Sequence, residues 1–197
     1  MSIFRPIRTV LLASAVASVS AASLAAQQQQ GTVLTIPNLY VFCPYRVAAI
    51  FPSEPMIRDI MYTNGNKTVP ARQFYVENGM DRYSVTIADF TKDGAAIDDT
   101  VIENAAIALR QRGEVRIQFP EDYTPGIPGR QLNIMESSGR LLRASLYMAD
   151  HRLYITETLS DPNDVAAIQF EQSVLMIDAM GRDINGVANV NRYACQR

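Results

Sequence analysis

The only histidine of the chain is His151, so every mechanism that uses an imidazole base depends on this residue. Its neighbours predict a hairpin turn, where a histidine is ordinarily an exposed polar residue. Glu121 and Asp122 are adjacent carboxylates in the proline-containing connection 120–129, and paired acids can serve as general acid and general base. These three residues define one hypothesis, an exported hydrolase that uses acidic residues with His151.

Other motifs that could carry chemistry are better explained as structural features. The chain has no Gly-x-Ser-x-Gly elbow, which disfavours a hydrolase built on a serine triad. The segment 126–130 contains glycines but lacks the Lys-Ser/Thr of a phosphate-binding loop. Further carboxylates fit the starts of helices, where negative charge meets the positive end of the helix dipole; they are Asp98, Asp99, Asp161 and Asp164. We therefore predict no catalytic residue, no metal ligands and no cofactor.

Cys43 and Cys195 are the only cysteines of the chain. In an oxidising compartment such a pair usually closes as a disulfide bond. A four-ligand zinc site is the alternative, but it would need carboxylates in addition to two cysteines and one histidine. We predict that Cys43 and Cys195 are bonded to each other.

The first residues have the pattern of a secretory signal peptide. Arg5 and Arg8 form a positively charged start, residues 9–26 are small or apolar with serines among them, and Ser23-Leu24-Ala25 supplies the small residues of a cleavage site. A retained membrane anchor is the alternative, although a span needs about 20 strongly apolar residues. We expect cleavage after Ala25 and a soluble periplasmic or secreted protein that no longer contacts the membrane.

The charge of the chain excludes one class of partner. Lys and Arg together number 18 against 20 Asp and Glu, which gives a net charge of −2, and the basic residues are dispersed along the sequence. Binding to phosphates requires clustered Lys and Arg. We therefore expect no nucleic-acid partner.

The elements that must position these residues follow from the spacing of apolar side chains. Alternation predicts strands, and it is clearest where Tyr83, Val85 and Ile87 fall on one face of a strand and polar residues on the other. Two stripes of apolar residues at helical spacing predict a helix over 99–112 and a second helix that begins with Asp161 as cap and Pro162 at its first position. The predicted strands cover 45–51, 56–62, 68–77, 82–90, 115–119, 131–136, 141–149 and 153–159.

This order of elements predicts an α+β fold with a central antiparallel sheet. We divide the chain into a signal peptide at 1–25, an N-terminal spacer at 26–44, a single α+β domain at 45–180 and a polar C-terminal tail at 181–197. The length of the mature chain is typical of one domain.

Residues 45–177 resemble the PsbP-like family, which includes the small nuclear-import factor that binds the Ran GTPase and many uncharacterised bacterial exported proteins. Three short motifs carry the resemblance: Tyr45-x-Val47 leading to Phe51-Pro52, the segment Arg152-Leu153-Tyr154-Ile155, and a closing helix with Phe170 and Ser173-Val174.

The resemblance implies a central antiparallel sheet with helices packed on its faces, an α/β/α sandwich, and a role in binding other proteins rather than in catalysis. Two departures limit it. Residues 178–197 replace the strand that ends the PsbP-like chain, and the histidine ligands of the photosystem subunits have no matching positions, so a photosynthetic or metal-binding role is not implied.

We therefore expect an exported non-enzymatic protein that binds a protein partner or a small ligand. The exported hydrolase is the alternative. A protein of this size that acted as an enzyme would normally show at least one convergent set of acids, bases or metal ligands in its sequence.

Overall fold

Strands make up most of the described chain, and two α-helices accompany them. A computed structural model describes residues 33–34, 36–93, 99–186 and 192–193. Their elements follow in the order β1 (Val33–Leu34), β2 (Leu39–Phe42), β3 (Val47–Ile50), β4 (Met56–Asn64), β5 (Lys67–Asn78), β6 (Asp81–Asp89), α1 (Asp99–Arg110), β7 (Gly113–Pro120), β8 (Gly129–Glu136), β9 (Leu141–Ala149), β10 (Arg152–Ser160), α2 (Val165–Ser173), β11 (Leu175–Met176) and β12 (Arg192–Tyr193). This mixture agrees with the predicted α+β class.

A seven-stranded antiparallel sheet has the order β4-β5-β6-β10-β9-β8-β7. Strands β4 to β6 form one meander and strands β7 to β10 form another, and the pairing of β6 with β10 joins the two. Strands β4 and β7 are therefore the two edges of this sheet. The predicted antiparallel arrangement is confirmed for this sheet.

Two tight turns in these meanders have left-handed backbone conformations. Gly65 has a φ of 60° between β4 and β5, where glycine pays no steric penalty. Asp150 and His151 have φ angles of 48° and 58° between β9 and β10, a conformation that Asp and His adopt more readily than most residues. The sequence predicts both hairpin turns, the first from Asn64-Gly65, two residues that tolerate positive φ, and the second from Asp150-His151.

Alternate residues of the inner strands are buried in different core clusters. In β10, Leu153 and Ile155 belong to the first cluster and Tyr154 belongs to the second. Because consecutive strand residues point to opposite faces of a sheet, the two clusters mark a first face and a second face of the large sheet. Ala105 of α1 is buried in the first cluster, and Phe170 of α2 is buried in the second.

The start of the second helix differs from the prediction. Asp164, not Asp161, is its N-cap, and the Asp164 carboxylate accepts a hydrogen bond of 2.9 Å from the backbone N–H of Ala166. Asp161 instead accepts from the backbone N–H of Asn163 in the turn that precedes the helix. Both carboxylates satisfy nearby N–H groups, as caps and turns require, but the helix begins one turn later than the Pro162 signal indicates.

Smaller sheets extend beyond the predicted domain boundaries. Strands β2, β3 and β11 form a three-stranded sheet, so β2 brings part of the predicted spacer 26–44 into the fold. Strand β1 pairs in parallel with β12, which lies in the predicted tail 181–197. The predicted strand 45–51 begins later, at Val47, because residues Cys43–Tyr45 form a 3₁₀ helix that ends at Arg46 with a φ of 58°.

Candidate binding site

The structure does not assemble the three residues of the hydrolase hypothesis into one set. His151 is exposed in its turn. The Glu121 carboxylate accepts a hydrogen bond of 3.4 Å from the hydroxyl of Tyr147, while Asp122 is exposed. Burial, and the charge of Glu121 after it, raise the pKa of Tyr147 to about 12, so this hydroxyl stays protonated and donates. Among the described residues, no hydrogen bond or ion pair joins His151 to either carboxylate.

Cys43 is half-buried at the start of the 3₁₀ helix, where it packs against a small cluster that includes Ala48 and Ile177. Cys195 lies outside the described residues, so the disulfide stays a prediction. Within the described part of the chain, no group of three or more His, Cys, Asp or Glu residues could hold a metal ion.

A polar cavity of about 150 Å³ opens on the first face of the large sheet, and we call it the arginine cavity. Its charged and polar side chains come from neighbouring strands and from the segment after α1. The register of β6 against β10 places Ser84 opposite Glu157, and that of β5 against β6 places Tyr75 opposite Ser84. The charged and hydroxyl-bearing lining residues are Arg58, Tyr75, Glu77, Arg82, Tyr83, Ser84, Arg112 and Glu157.

Arg112 connects two carboxylates at the inner end of this cavity. Its Nη1 donates to Glu157 Oε1 at 2.5 Å, and its Nη2 and Nε donate to Glu136 Oε1 at 2.8 and 3.0 Å. Burial raises the pKa of Glu157, and the guanidinium of Arg112 opposes that shift. The guanidinium of Arg112 is therefore fully occupied by carboxylates.

Arg58, at the β4 end of the arginine cavity, has no such match. Its Nε donates to Gln73 Oε1 at 2.7 Å, and its guanidinium lies 4.5 Å from the centre of the Tyr75 ring. Gln73 in turn donates to Thr86. These neutral partners hold the Arg58 side chain in place, and among the described residues it makes no ion pair.

A larger cleft of about 470 Å³ opens on the second face of the sheet, and we call it the apolar cleft. It runs from β4 across β5 and β6 towards the start of β10. Apolar side chains form its walls, and charged residues lie at its rim. The lining residues are Tyr45, Asp59, Ile60, Met61, Pro70, Ala71, Arg72, Ile87, Asp89 and Arg152.

The charged residues of the apolar cleft are occupied by other protein groups. Arg72 lies 2.9 Å from a carboxylate oxygen of Asp59, and its guanidinium lies 5.3 Å from the centre of the Tyr45 ring. Arg152 donates to the carbonyl of Pro44 at 3.2 Å. Burial acts to raise the pKa of Asp89, but hydrogen bonds from Thr91 outweigh it, and the pKa is lowered. The unoccupied surface of the cleft is therefore mainly apolar.

Sequence reasoning missed the residues that line both cavities. Arg58, Arg112 and Glu157 are far apart along the chain. The strand register brings Arg58 and Glu157 to one face, and the turn after α1 directs Arg112 to the same face. The alternation in β6 was the available signal, because Arg82, Ser84 and Thr86 share a face that the pattern predicts to be wet or lightly covered. That expectation holds at Arg82, which is exposed, and is wrong at Thr86, which is buried.

Comparison with known proteins adds little. No protein-family model matches the chain, and no curated protein sequence matches it. Among solved structures the chain is similar to PA94 of Pseudomonas aeruginosa, a protein of unknown function that has been suggested to be a regulator. The match has 17% sequence identity and a TM-score of 0.33, and it covers 54% of this chain and 85% of that chain. At this level the similarity carries no argument.

Proposed function

We propose that this protein is an exported, non-enzymatic binding protein that holds its partner or ligand in the apolar cleft. The observation that carries the proposal is a cleft of about 470 Å³ with apolar walls whose charged rim residues are paired with other protein groups. Binding sites are typically concave and mostly apolar, with a few polar groups that fix orientation. Met61, at the β4 side of the cleft, is 64% exposed, so burying it would contribute to binding.

Binding rather than catalysis is supported by the state of the polar groups. Arg112 is matched by Glu136 and Glu157, and Arg72 is matched by Asp59. A nucleophile needs a base within hydrogen-bond distance to become reactive. Among the described residues, the serine hydroxyl in the arginine cavity, that of Ser84, has no hydrogen bond to a carboxylate or an imidazole.

Export and the PsbP-like sandwich are part of the same proposal. The signal-peptide pattern supports export, and N-terminal sequencing of the exported protein should give Ala26 as the first residue. The sandwich places α1 and α2 on opposite faces of the large sheet. It is supported by the burial of Ala105 in the first core cluster and of Phe170 in the second. No helix among the described residues is long and apolar enough to cross a membrane.

Photo-crosslinking in the producing cell tests the proposed site. A benzophenone amino acid in place of Met61 should form an adduct of one defined mass, whether the bound molecule is a protein or a small ligand. The same amino acid in place of Arg116, which is exposed on the opposite edge strand, should form none. Equal labelling at both positions, or none at either, would exclude the apolar cleft as the binding site.

The exported hydrolase remains the competing proposal, and direct assay distinguishes it. Purified protein should show no turnover of ester, peptide or glycoside substrates. His151→Asn keeps a residue that tolerates the left-handed backbone, and Glu121→Gln keeps an oxygen that can accept from Tyr147. These two variants and Asp122→Asn should therefore leave the free energy of unfolding within about 0.5 kcal/mol of the parent protein. Turnover that any one of these variants abolishes would replace the binding proposal with the hydrolase.

A further inference from the structure

The two edges of the large sheet differ in how well they are protected against pairing with another strand. Strand β7 has a register shift between Val115 and Ile117 and ends at Pro120. Bulges and prolines are common devices that prevent a sheet edge from accepting a further strand. Strand β4 pairs with β5 in one unbroken register over nine residues and contains no proline. No described strand pairs with its outer edge.

The hairpin register identifies which backbone groups of β4 face outward. Asn64 pairs with Lys67 across a turn of two residues, and the residues that flank such a turn form a hydrogen-bonded pair. Hydrogen-bonded and non-hydrogen-bonded pairs then alternate, so Thr63 and Thr68 form a non-hydrogen-bonded pair. Their hydroxyl groups lie 3.1 Å apart, as expected for the closer side chains of such a pair. It follows that the N–H and C=O groups of Ile57, Asp59 and Met61 point away from β5.

The side chains around this free edge offer different surfaces on the two faces of the sheet. Arg58 lines the arginine cavity, and the adjacent Asp59 and Met61 line the apolar cleft. Apolar side chains are exposed along the strand, with Met56 at 50% and Ile57 at 54%. The far end of β4 is held under α1, because the Asn64 side chain donates to the carbonyl of Val101. The segment Met56–Met61 is therefore the accessible part of the edge.

We propose that β4 accepts an extended segment of a partner protein as an additional strand of the large sheet. Main-chain hydrogen bonds to Ile57, Asp59 and Met61 supply affinity, and alternate side chains of the segment enter the two cavities. An acidic side chain faces Arg58, which lacks a carboxylate partner among the described residues, and apolar side chains face Met61 and the cleft. The inference rests on the proposed function and names the class of partner.

A second copy of this chain is a poorer occupant of the same edge. Two copies of β4 would pair as antiparallel strands around a two-fold axis perpendicular to the sheet. This rotation leaves each side chain on its own face, and directly paired residues must share a face. The pairing is therefore centred on one residue, which lies opposite its own copy. The registers that pair most of Met56–Met61 are centred on Arg58 or on Asp59. These registers place two arginines or two aspartates directly opposite each other, which is destabilising. A heterologous acidic and apolar segment avoids this repulsion.

Amide hydrogen exchange of the full mature protein with a synthetic peptide tests the inference. The probe is Thr-Leu-Glu-Leu-Glu-Leu-Glu-Leu-Thr, which matches the nine-residue length of β4. Peptide should slow exchange at Ile57, Asp59 and Met61 by about tenfold or more, which corresponds to about 1.4 kcal/mol of protection. Exchange at Arg58 and Ile60 should be slow with or without peptide, because their N–H groups bond to β5.

Three variants separate backbone recognition from side-chain recognition. Ile57→Pro removes an outward N–H without touching the ladder to β5, and proline is tolerated at such edge positions. It should abolish peptide binding, whereas Ile57→Ala, which loses the side chain but keeps the N–H, should retain most of it. Arg58→Glu should weaken binding of this peptide and strengthen binding of its counterpart with lysine in place of glutamate. Arg116→Glu, on the other edge strand, should change the binding of neither peptide.

Several results would overturn strand addition. These are an absence of protection at about 1 mM peptide, protection elsewhere in the sheet, or equal binding by Ile57→Pro and Ile57→Ala. Protection of the same amides that rises with protein concentration and without peptide would assign the edge to a second copy. Slow exchange at these amides in dilute protein alone would assign it to a segment of this chain. A crosslink at Met61 that persists in Ile57→Pro would exclude strand addition. It would leave the proposal that the apolar cleft is the binding site unaffected.

Discussion

At the scale of single residues, Arg112 controls the charge balance of the arginine cavity. It follows the end of α1, and its backbone N–H bonds to the carbonyl of Leu109, which directs its side chain across the sheet to Glu136 and Glu157. Charge-assisted hydrogen bonds of this kind are stronger than neutral ones. The cavity can therefore bury part of Glu157 because Arg112 provides the opposite charge.

The raised pKa of Glu157 predicts a specific pH dependence of stability. A carboxyl whose pKa is higher in the folded state than its ordinary 4.5 binds more protons when folded, so the stability it contributes is present below pH 4.5 and is lost as the pH rises through the raised value. The glutamine of Glu157→Gln has no proton to lose, so this variant should lack the part of the decrease in stability with rising pH that Glu157 causes. Urea unfolding between about pH 4 and pH 8 measures the slope in each variant.

Glu114→Gln provides the matched control for Glu157. Glu114 is exposed on β7 and pairs with Arg116 at the surface, where ion pairs contribute little to stability. The free energy of unfolding of Glu114→Gln should depend on pH with the same slope as that of the parent protein. Identical slopes for the parent, Glu157→Gln and Glu114→Gln would show that Glu157 has no raised pKa in solution.

At the scale of elements, Asn64 connects the β4–β5 hairpin to α1. The side chain is only 4% exposed; it donates to the carbonyl of Val101 at 2.9 Å and accepts from Asn104 at 3.3 Å. The next residue must be glycine for two reasons, a φ of 60° and an ideal Cβ that would lie 2.8 Å from the Asn104 side chain. The hairpin turn and the helix are therefore fitted to each other.

Asn64→Ala should destabilise the protein by about 1–3 kcal/mol, because it removes two hydrogen bonds from a buried site and leaves the Asn104 amide without its Asn64 acceptor. Thermal or urea unfolding measures this loss. Compared with the parent protein, the variant should show a larger increase of amide exchange in α1 than in β9. Thr63→Ala is the control, since its hydroxyl contact is exposed and its loss should cost less than about 0.5 kcal/mol. An equal effect of the two substitutions would contradict the connecting role of Asn64.

At the scale of the whole molecule, the two ends of the described chain come together. Arg192 and Tyr193 of β12 pair with Val33 and Leu34 of β1. Cys195 lies shortly after β12 in the sequence, and Cys43 directly follows β2. The disulfide between them is a proposal. The bond would close a loop that contains the entire large sheet.

Loss of the Cys43–Cys195 bond should destabilise the protein by about 4 to 5 kcal/mol, because a crosslink that closes a long loop restricts the unfolded chain. Cys43→Ser, Cys195→Ser and the chemically reduced parent protein should unfold at the same lower urea concentration. Thiol titration of denatured, unreduced protein should detect no free thiol. Two free thiols per chain would exclude the disulfide and return metal binding by these cysteines to consideration.

Local patterns in the sequence determined most of the elements of this protein. Strict alternation identified β6, and the turn residues Asn64-Gly65 and Asp150-His151 identified the β4–β5 and β9–β10 connections, because these signals depend only on neighbouring residues. The antiparallel α+β class followed from the order of the elements. Element boundaries were less certain where two local signals competed, as at Asp161 and Asp164, since either carboxylate can cap a helix.

Only the tertiary structure decided which side chains share a cavity and which edge of the sheet is open. Arg58 and Glu157 reach one cavity through the pairing of β4 to β6 with β10, and Arg112 reaches it from the turn after α1. No spacing along the chain encodes a register between distant strands. The same reason explains why the sequence directed attention to His151 and Glu121, which are conspicuous by type but have no bond between them. Residue types and periods are local properties, whereas a site is formed by long-range pairing.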